Sequence, residues 1–347
     1  MNNFQSVKSF FSNKNVAFVS TVPLKRNICL LDIGARGGIG WPWNAIQRDM
    51  LNVILVEPDP VEAKKLDEQG KGSVLPYALW SKQTELSLNI NNSPGTSSVY
   101  EANMPFLQQF EDAQRFKVKN KIILKTKTID DLAQNNEIAS VDFAKIDVQG
   151  GELAILQGGE EFFKKNLIGL EAEVEFAPMY IDQPLFSDVD IFVRERLGLE
   201  LWDIRKAYWK YRQKKYKTPL KGRLIFGDAL YLRPISTLDE WLDTMDEELA
   251  LSKFHALVNT TMAYGFLDYT SAIVNTSFSK EYLDKKEKEA VIKCIDKMSN
   301  GFYPFKNGSR FLHRILHVLT HSFKPTYGGW ANGDPHIGSK KKLFFWF

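Results

Sequence analysis

The residues of this chain best placed to do chemistry are acids that close apolar runs. Asp32 closes CLLD before GARGGIG, Glu57 closes VILVE before PDP, and Asp147 and Glu152 flank the turn of KIDVQGGE. After Asp32, four glycines fall within seven residues, Gly34, Gly37, Gly38 and Gly40. Gly34 and Gly38 let main chain approach a ligand where a Cβ would collide with it. The pattern is D-x-G-x-x-x-G. It satisfies neither the G-x-G-x-x-G dinucleotide fingerprint nor a phosphate loop ending in Gly-Lys-Ser/Thr. An acid at the end of the strand repels a pyrophosphate and suits a ligand with cationic groups. Glu57 lies twenty-three residues after Gly34, where a carboxylate can accept both hydroxyls of a ribose. Strand, acid, glycine loop and helix together describe a nucleotide-like ligand held at the carboxyl end of a parallel sheet.

Such a site needs a doubly wound sheet behind it, and the pattern from residue 28 to about 233 supplies one. β-rich runs at Ile28–Ile33, Val53–Val56, Ser73–Tyr77, Val141–Ile146, Ile168–Val174, Leu199–Ile204 and Leu224–Leu232 read as strands. Helical stretches at Pro60–Gln69, Ile129–Gln134, Glu152–Lys165 and Ser187–Glu195 alternate with them, the last stopping before Gly198. An insertion between Ser81 and Thr128 carries two extended pieces, Glu85–Ile90 and Lys121–Thr126. After Pro234 the texture turns helical, at about 237–265, 279–299 and 309–322. This divides the chain into a lead-in (1–27), an α/β domain (28–235) and a mainly helical C-terminal appendage (236–347).

With 347 residues, 44% hydrophobic and 25% charged, and a net charge of +3, the composition is that of a soluble globular protein. No run of about 18 uncharged apolar residues is present. The first residues lack the apolar core of a signal peptide, so the expected location is the cytoplasm. Cys29 and Cys294, far apart and each in apolar context, read as two buried thiols.

The segments LLDIGARGG, VEPDP, TIDDLA (128–133) and VDFAKIDVQGGELAILQGG (141–159) resemble the FkbM family of class I S-adenosylmethionine-dependent methyltransferases. The resemblance covers roughly residues 28 to 233 and is most specific in the last motif. It implies a Rossmann-like sheet, mostly parallel with an antiparallel last strand, and S-adenosylmethionine as cofactor. It places Asp32, Gly34, Ala35, Gly38, Glu57 and Pro58 around that cofactor, with Ala78 and Leu79 flanking the adenine. Arg36 departs from the pattern, since the family usually has Asn after Gly-Ala.

Methyl transfer to an alcohol needs alignment and a base for the departing proton. Asp147, at the end of the fourth strand, is the expected catalytic residue, with Gln149 and Glu152 beside the acceptor. Glu152 fits equally well as a first-turn acid stabilised by the helix dipole. No second cluster supports a metal. The fifth strand carries Glu171, Glu173 and Glu175 on one face by its period of two. Of these Glu175, together with Tyr180, is expected nearest the acceptor; pairing with neighbouring bases accounts for the acids equally well.

Residues 204–223 hold nine Lys or Arg and no acid, interleaved with Tyr208, Trp209, Tyr211 and Tyr216. Arg205, Lys206 and Trp209 are the expected substrate contacts. A sugar, sugar-phosphate or glycan acceptor fits the family habit. Single-stranded nucleic acid fits a basic stripe with stacking rings. A non-catalytic scaffold binding glycan or partner proteins is a third reading, against which the intact cofactor motifs argue. Nearer the C-terminus, His313, His317 and His321 recur every four residues and read as a polar or partner-facing stripe rather than a zinc site. The ending GSKKKLFFWF reads as a packed anchor or, if exposed, as a peripheral membrane contact.

Overall fold

In the first strand, β1 (Ile28–Ile33), alternate residues leave for opposite sides. Ile28 and Leu30 enter one hydrophobic core, while Cys29, Leu31 and Ile33 enter another. A strand buried on both faces must carry helices on both, and the computed structural model shows this arrangement. It describes residues 27–212, 221–299, 315–316, 330–334 and 337.

The elements run β1, β2 (Leu51–Val56), α1 (Pro60–Glu68), β3 (Ser73–Leu75), β4 (Ala78–Leu79), β5 (Glu85–Asn91), α2 (Met104–Leu107) and β6 (Val118–Lys127). Then come α3 (Ile129–Gln134), β7 (Phe143–Ile146), α4 (Glu152–Gln157), α5 (Glu160–Asn166), β8 (Gly169–Glu175) and α6 (Phe186–Phe192). Last are β9 (Glu200–Trp209), β10 (Arg223–Leu232), α7 (Ile235–Leu242), α8 (Glu247–Tyr264), α9 (Leu267–Val274), α10 (Lys285–Ser299) and β11 (Ala331–Gly333).

The main sheet has the order β11-β9-β10-β8-β7-β1-β2-β3. Neighbours from β3 to β8 pair in parallel, and β10 runs antiparallel to both β8 and β9. The order reverses between β1 and β7, which opens a crevice at their carboxyl ends. A second sheet, β4-β6-β5, is built from the insertion. The segment between β5 and β6, α2 included, packs with the chain after β8 and with β9 and β10 around an aromatic core of Phe106, Phe110, Phe116, Tyr180 and Trp209.

Helices α3 to α6 cover one face of the main sheet. The other face is covered by α7 to α10, so the C-terminal helices share a core with β1, β2, β7 and β10. Helix α8 is buried continuously from Ser252 to Tyr264. It begins with Asp246 accepting from Leu249 N–H and ends at Gly265 in the left-handed region (φ 83°). The acids of residues 239–248 therefore include the N-terminal cap and first turn of this helix, where its dipole favours them.

Several elements differ from the sequence expectation. The single helix expected over Glu152–Lys165 is broken at Gly158-Gly159. A Cβ on Gly158 would lie 2.1 Å from the Trp80 carbonyl oxygen, so the chain passes too close there for any side chain. The run Ser73–Tyr77 stops as a strand at Leu75, and the chain crosses to the second sheet at Ala78. Strand β9 extends to Trp209, so the first part of the basic segment is strand rather than turn. Strand β11, which pairs with Trp209–Ala207, had no counterpart in the sequence reading. Tyr216, the three spaced histidines and the GSKKKLFFWF ending lie outside the described residues. Cys29 and Cys294 are both buried and not disulfide-bonded. Among the described residues no helix is long and apolar enough to cross a membrane.

Candidate active site at the carboxyl end of the sheet

Because Asp32, Lys145 and Glu171 are register partners on β1, β7 and β8, their side chains form one row on the face covered by α8. Beneath this row the same face is aromatic. Trp43 lies 4.7 Å from Phe143, and Phe143 stacks on Tyr264 at 5.8 Å. Tyr264 donates its hydroxyl to Glu171 Oε2 (2.7 Å), closing the row from the helix side.

Asp32 is almost wholly buried, yet its Oδ1 has no hydrogen-bond partner. Its nearest cation is Lys145 Nζ, 3.8 Å away, and the same ammonium lies 3.8 Å from Asp147 Oδ2. Burial raises the Asp32 pKa to about 6, with Lys145 pulling it down and Asp147 pushing it up. A buried carboxylate oxygen without a hydrogen bond, at the mouth of a ligand crevice, is what a cationic ligand would complete.

The glycine loop that follows is fixed by its main chain. Gly34 and Ala35 N–H both donate to the Val56 carbonyl (3.0 and 3.2 Å). Gly34 sits at φ +82°, and a Cβ there would lie 2.0 Å from the Asp147 carbonyl oxygen. Gly38 is at φ +86° in open space beside Lys71. Arg36 has a clear partner set, with Nη2 3.1 Å from Asp59 Oδ2 and Nη1 3.6 Å from Glu62 Oε1. It ties the loop to the turn bearing Glu57. Glu57 is buried, accepts from Asp59 N–H (2.9 Å), and has its pKa raised chiefly by burial.

An apolar pocket opens beside these groups, lined by Gly34, Pro58, Ala78, Leu79 and Val148. Leu86, Leu88 and Leu124 of the second sheet complete its wall. Its flat apolar lining suits an adenine, Glu57 a ribose, and Asp32 a cationic tail, so the residues present fit S-adenosylmethionine.

Asp147 is about one-third exposed, 35% for its side chain, which leaves it accessible from the crevice. Gln149, held at φ +61°, donates Nε2 to Asp147 Oδ1 (3.2 Å) and to Glu173 Oε1 (2.5 Å). Its Oε1 accepts from Tyr180 OH (3.1 Å). Asp147, Gln149, Glu173 and Tyr180 thus form one hydrogen-bonded group. Glu152 is turned inward and accepts from Val148 N–H (2.9 Å) across the loop, and burial raises its pKa to about 7. Glu175 is buried with Oε1 unpartnered. Burial raises the pKa of both Glu173 and Glu175 well above the carboxylate range, and the neighbouring acids add to it.

The basic segment is less united with this group. Arg205 pairs with Asp228 at 2.5 Å. Lys206 is exposed, and its main chain pairs with Asp334. Trp209 is 3% exposed, packed edge-on against Phe110, Phe226 and Trp330, so its ring lies in the aromatic core and offers no open stacking face. The residues that sequence reading missed are Lys145 and Tyr264. Lys145 had a signal: period two from Asp147, inside an otherwise apolar strand. Tyr264 had none, because its partner lies 93 residues away.

A seven-stranded order of three parallel strands outward from each side of a switch point, with β10 reversed between β8 and β9, defines the class I methyltransferase fold. Residues 32–198 match the family model "Methyltransferase FkbM domain". Residues 32–198 therefore carry the pattern of an FkbM methyltransferase domain.

A search of curated proteins returned no match. Among solved structures, the FkbM methyltransferase from Methylobacillus flagellatus KT is similar at 15% identity, TM-score 0.35, over 63% of this chain and 47% of that one. The chain thus corresponds to about half the length of that relative. A TehB-like SAM-dependent methyltransferase from Corynebacterium glutamicum ATCC 13032 Kitasato is similar at 12% identity, TM-score 0.28, over 67% and 94% of the two chains. The 23S rRNA methyltransferase ErmE follows at 11% identity, TM-score 0.29, over 80% and 95%. These superpositions are loose, and nothing about the acceptor is drawn from them.

Proposed function

We propose that this protein is an S-adenosylmethionine-dependent O-methyltransferase whose acceptor is a hydroxyl of a sugar, sugar-phosphate or glycan. The observation that carries the reading is the position of Asp147. It is partly exposed at the end of β7, adjoins the glycine cradle through the Gly34 contact, and is hydrogen-bonded to Gln149. The cofactor supplies an activated methyl group on a sulfonium. The chain holds the nucleoside through Glu57 and the apolar pocket, and directs the acceptor to Asp147. Asp147 takes the hydroxyl proton as general base. Gln149, fixed by Glu173 and Tyr180, orients Asp147.

Acids concentrated around the end of β8 favour a neutral, hydroxyl-rich group at the reacting end over a phosphodiester chain. The second reading, a nucleic-acid substrate, is favoured by the exposed cations Lys206, Arg212, Lys221 and Arg223 and by Tyr211, which is 43% exposed. Transfer of labelled methyl from S-adenosylmethionine, screened over nucleotide sugars, glycan fractions and oligonucleotides, separates the two. Asp147→Asn should abolish transfer while leaving S-adenosylhomocysteine affinity within a few-fold of wild type. Full turnover by that variant would remove Asp147 from the chemistry. Labelling of oligonucleotides alone, with steep salt dependence, would replace the sugar by nucleic acid.

A further inference from the structure

Lys145 lies against acids of both halves of the site, Asp32 and Asp147, and neither the family match nor the proposed chemistry gives it a role. It lies midway along the row Asp32–Lys145–Glu171, inside β7, with its side chain 21% exposed. Its Nζ is equidistant, at 3.8 Å, from Asp32 Oδ1 and Asp147 Oδ2. Asp32 Oδ1 has no hydrogen bond of its own, so this ammonium is the only stabilising partner the structure gives that oxygen among the described residues.

We propose that Lys145 is a positioning residue whose ammonium holds the carboxylates of Asp32 and Asp147 at adjoining edges of the cofactor cradle and keeps Asp32 charged. The inference rests on the cofactor reading above and deepens it by linking ligand affinity to the ionisation of one acid.

The surroundings make such a cation necessary. Every element packed around it contributes a titratable group. Asp147 follows β7, Glu171 lies on β8, Asp228 on β10, and Tyr264 on α8 donates to Glu171. Arg205 on β9, the register partner of Asp228, is committed to that acid. Burial and the Asp147 charge both push Asp32 towards its neutral form, and Lys145 opposes them. The same acids raise the pKa of Lys145 above its ordinary value, so it stays charged throughout the accessible range. A neutral Asp32 would no longer attract the ammonium of an S-adenosyl ligand. Without Lys145 that neutral form would dominate at a higher pH.

The test is calorimetric titration with S-adenosylhomocysteine, whose α-ammonium stays charged across the range, on wild type, Lys145→Met and Lys145→Arg from about pH 5 to about pH 8.5. Wild-type affinity should fall as pH drops through about 6. In Lys145→Met the fall should begin about one pH unit higher, giving about twofold weaker binding than wild type near pH 7 and roughly tenfold weaker binding at about pH 5. The two curves should converge at the alkaline end, and Lys145→Arg should follow wild type. Asp32→Asn should give a flat profile, and it keeps the test decisive if the methionine variant does not fold. A merely structural role for Lys145 would lower affinity by the same factor at every pH, and that outcome overturns the proposal. So would a titration that persists in Asp32→Asn. No binding by wild type at any pH would instead refute the cofactor assignment itself.

Discussion

Glu57 and Gly34 act on the same ligand by opposite means, one by a charge and the other by the lack of a side chain. Hydrogen bonds to a charged group are worth about 1.5–3 kcal/mol. Glu57→Ala should therefore weaken S-adenosylhomocysteine binding by roughly ten- to a hundredfold, read by calorimetry. In Gly34→Ala, the new methyl would meet the Asp147 carbonyl at 2.0 Å and sit at φ +82°. The loop would have to leave its place between β2 and β7. Ligand affinity should be lost outright, and the thermal midpoint should fall as well. An alanine variant that binds normally would show that the loop approaches β7 less closely than described. Both positions were legible from sequence, because an acid at a strand end and a glycine where backbone meets backbone leave local marks. The orientation of Glu152 was not. Its first-turn placement shows in the sequence, but the inward turn onto Val148 N–H depends on the left-handed Gln149 and on Gly150.

At the scale of elements, helix α8 is attached to the sheet by charge at one end and by a phenol at the other. Lys253, completely buried, donates to the Val141 carbonyl (2.8 Å) and to Asp142 Oδ1 (2.9 Å). Asp142 Oδ2 in turn accepts from Cys29 N–H (2.7 Å). Removing one member of a buried ion pair leaves an uncompensated charge, at a cost of about 3–5 kcal/mol. Lys253→Met should lower stability by that order in denaturant titration. Adding Asp142→Asn, which keeps an acceptor for Cys29, should recover part of it. Equal losses from the single and double variants would mean that the pair is not coupled. The strands of the parallel sheet were readable as apolar runs, and helices α1 and α3 from their caps at Asp59 and Thr128. The packing of α8 was not, since nothing in FHALVNTTMAY says which sheet face it covers. The break at Gly158-Gly159 was likewise set by Trp80, a contact outside the helix itself.

For the molecule as a whole, the carboxylates gathered at one end of the sheet set the response to pH. Asp32, at about 6, and Glu152 and Glu171, at about 7, all hold their protons in the folded state to higher pH than their unfolded values of 3.8 and 4.5. Between those limits the native state binds more protons than the unfolded chain, so stability declines as pH rises through the window. The ligand-free protein should show its highest thermal midpoint on the acid side of neutrality. Saturating S-adenosylhomocysteine, at about 100 times its dissociation constant, should add roughly 2.7 kcal/mol. A ligand-free midpoint that rises steadily from about pH 5 to about pH 8 would contradict the buried acids. Because α7 to α10 form the core of one sheet face, a chain ended at residue 235 should be insoluble or unfolded rather than an active domain.

Strand β11 has a consequence for how copies of this protein meet. By occupying main-chain groups from Ala207 to Trp209, it removes the end of β9 nearest the aromatic core as a template for intruding strands. What is left of that border, from Glu200 to Lys206, carries Glu200, Asp203, Arg205 and Lys206. A row of mixed charge discourages a second chain from extending the sheet along this border.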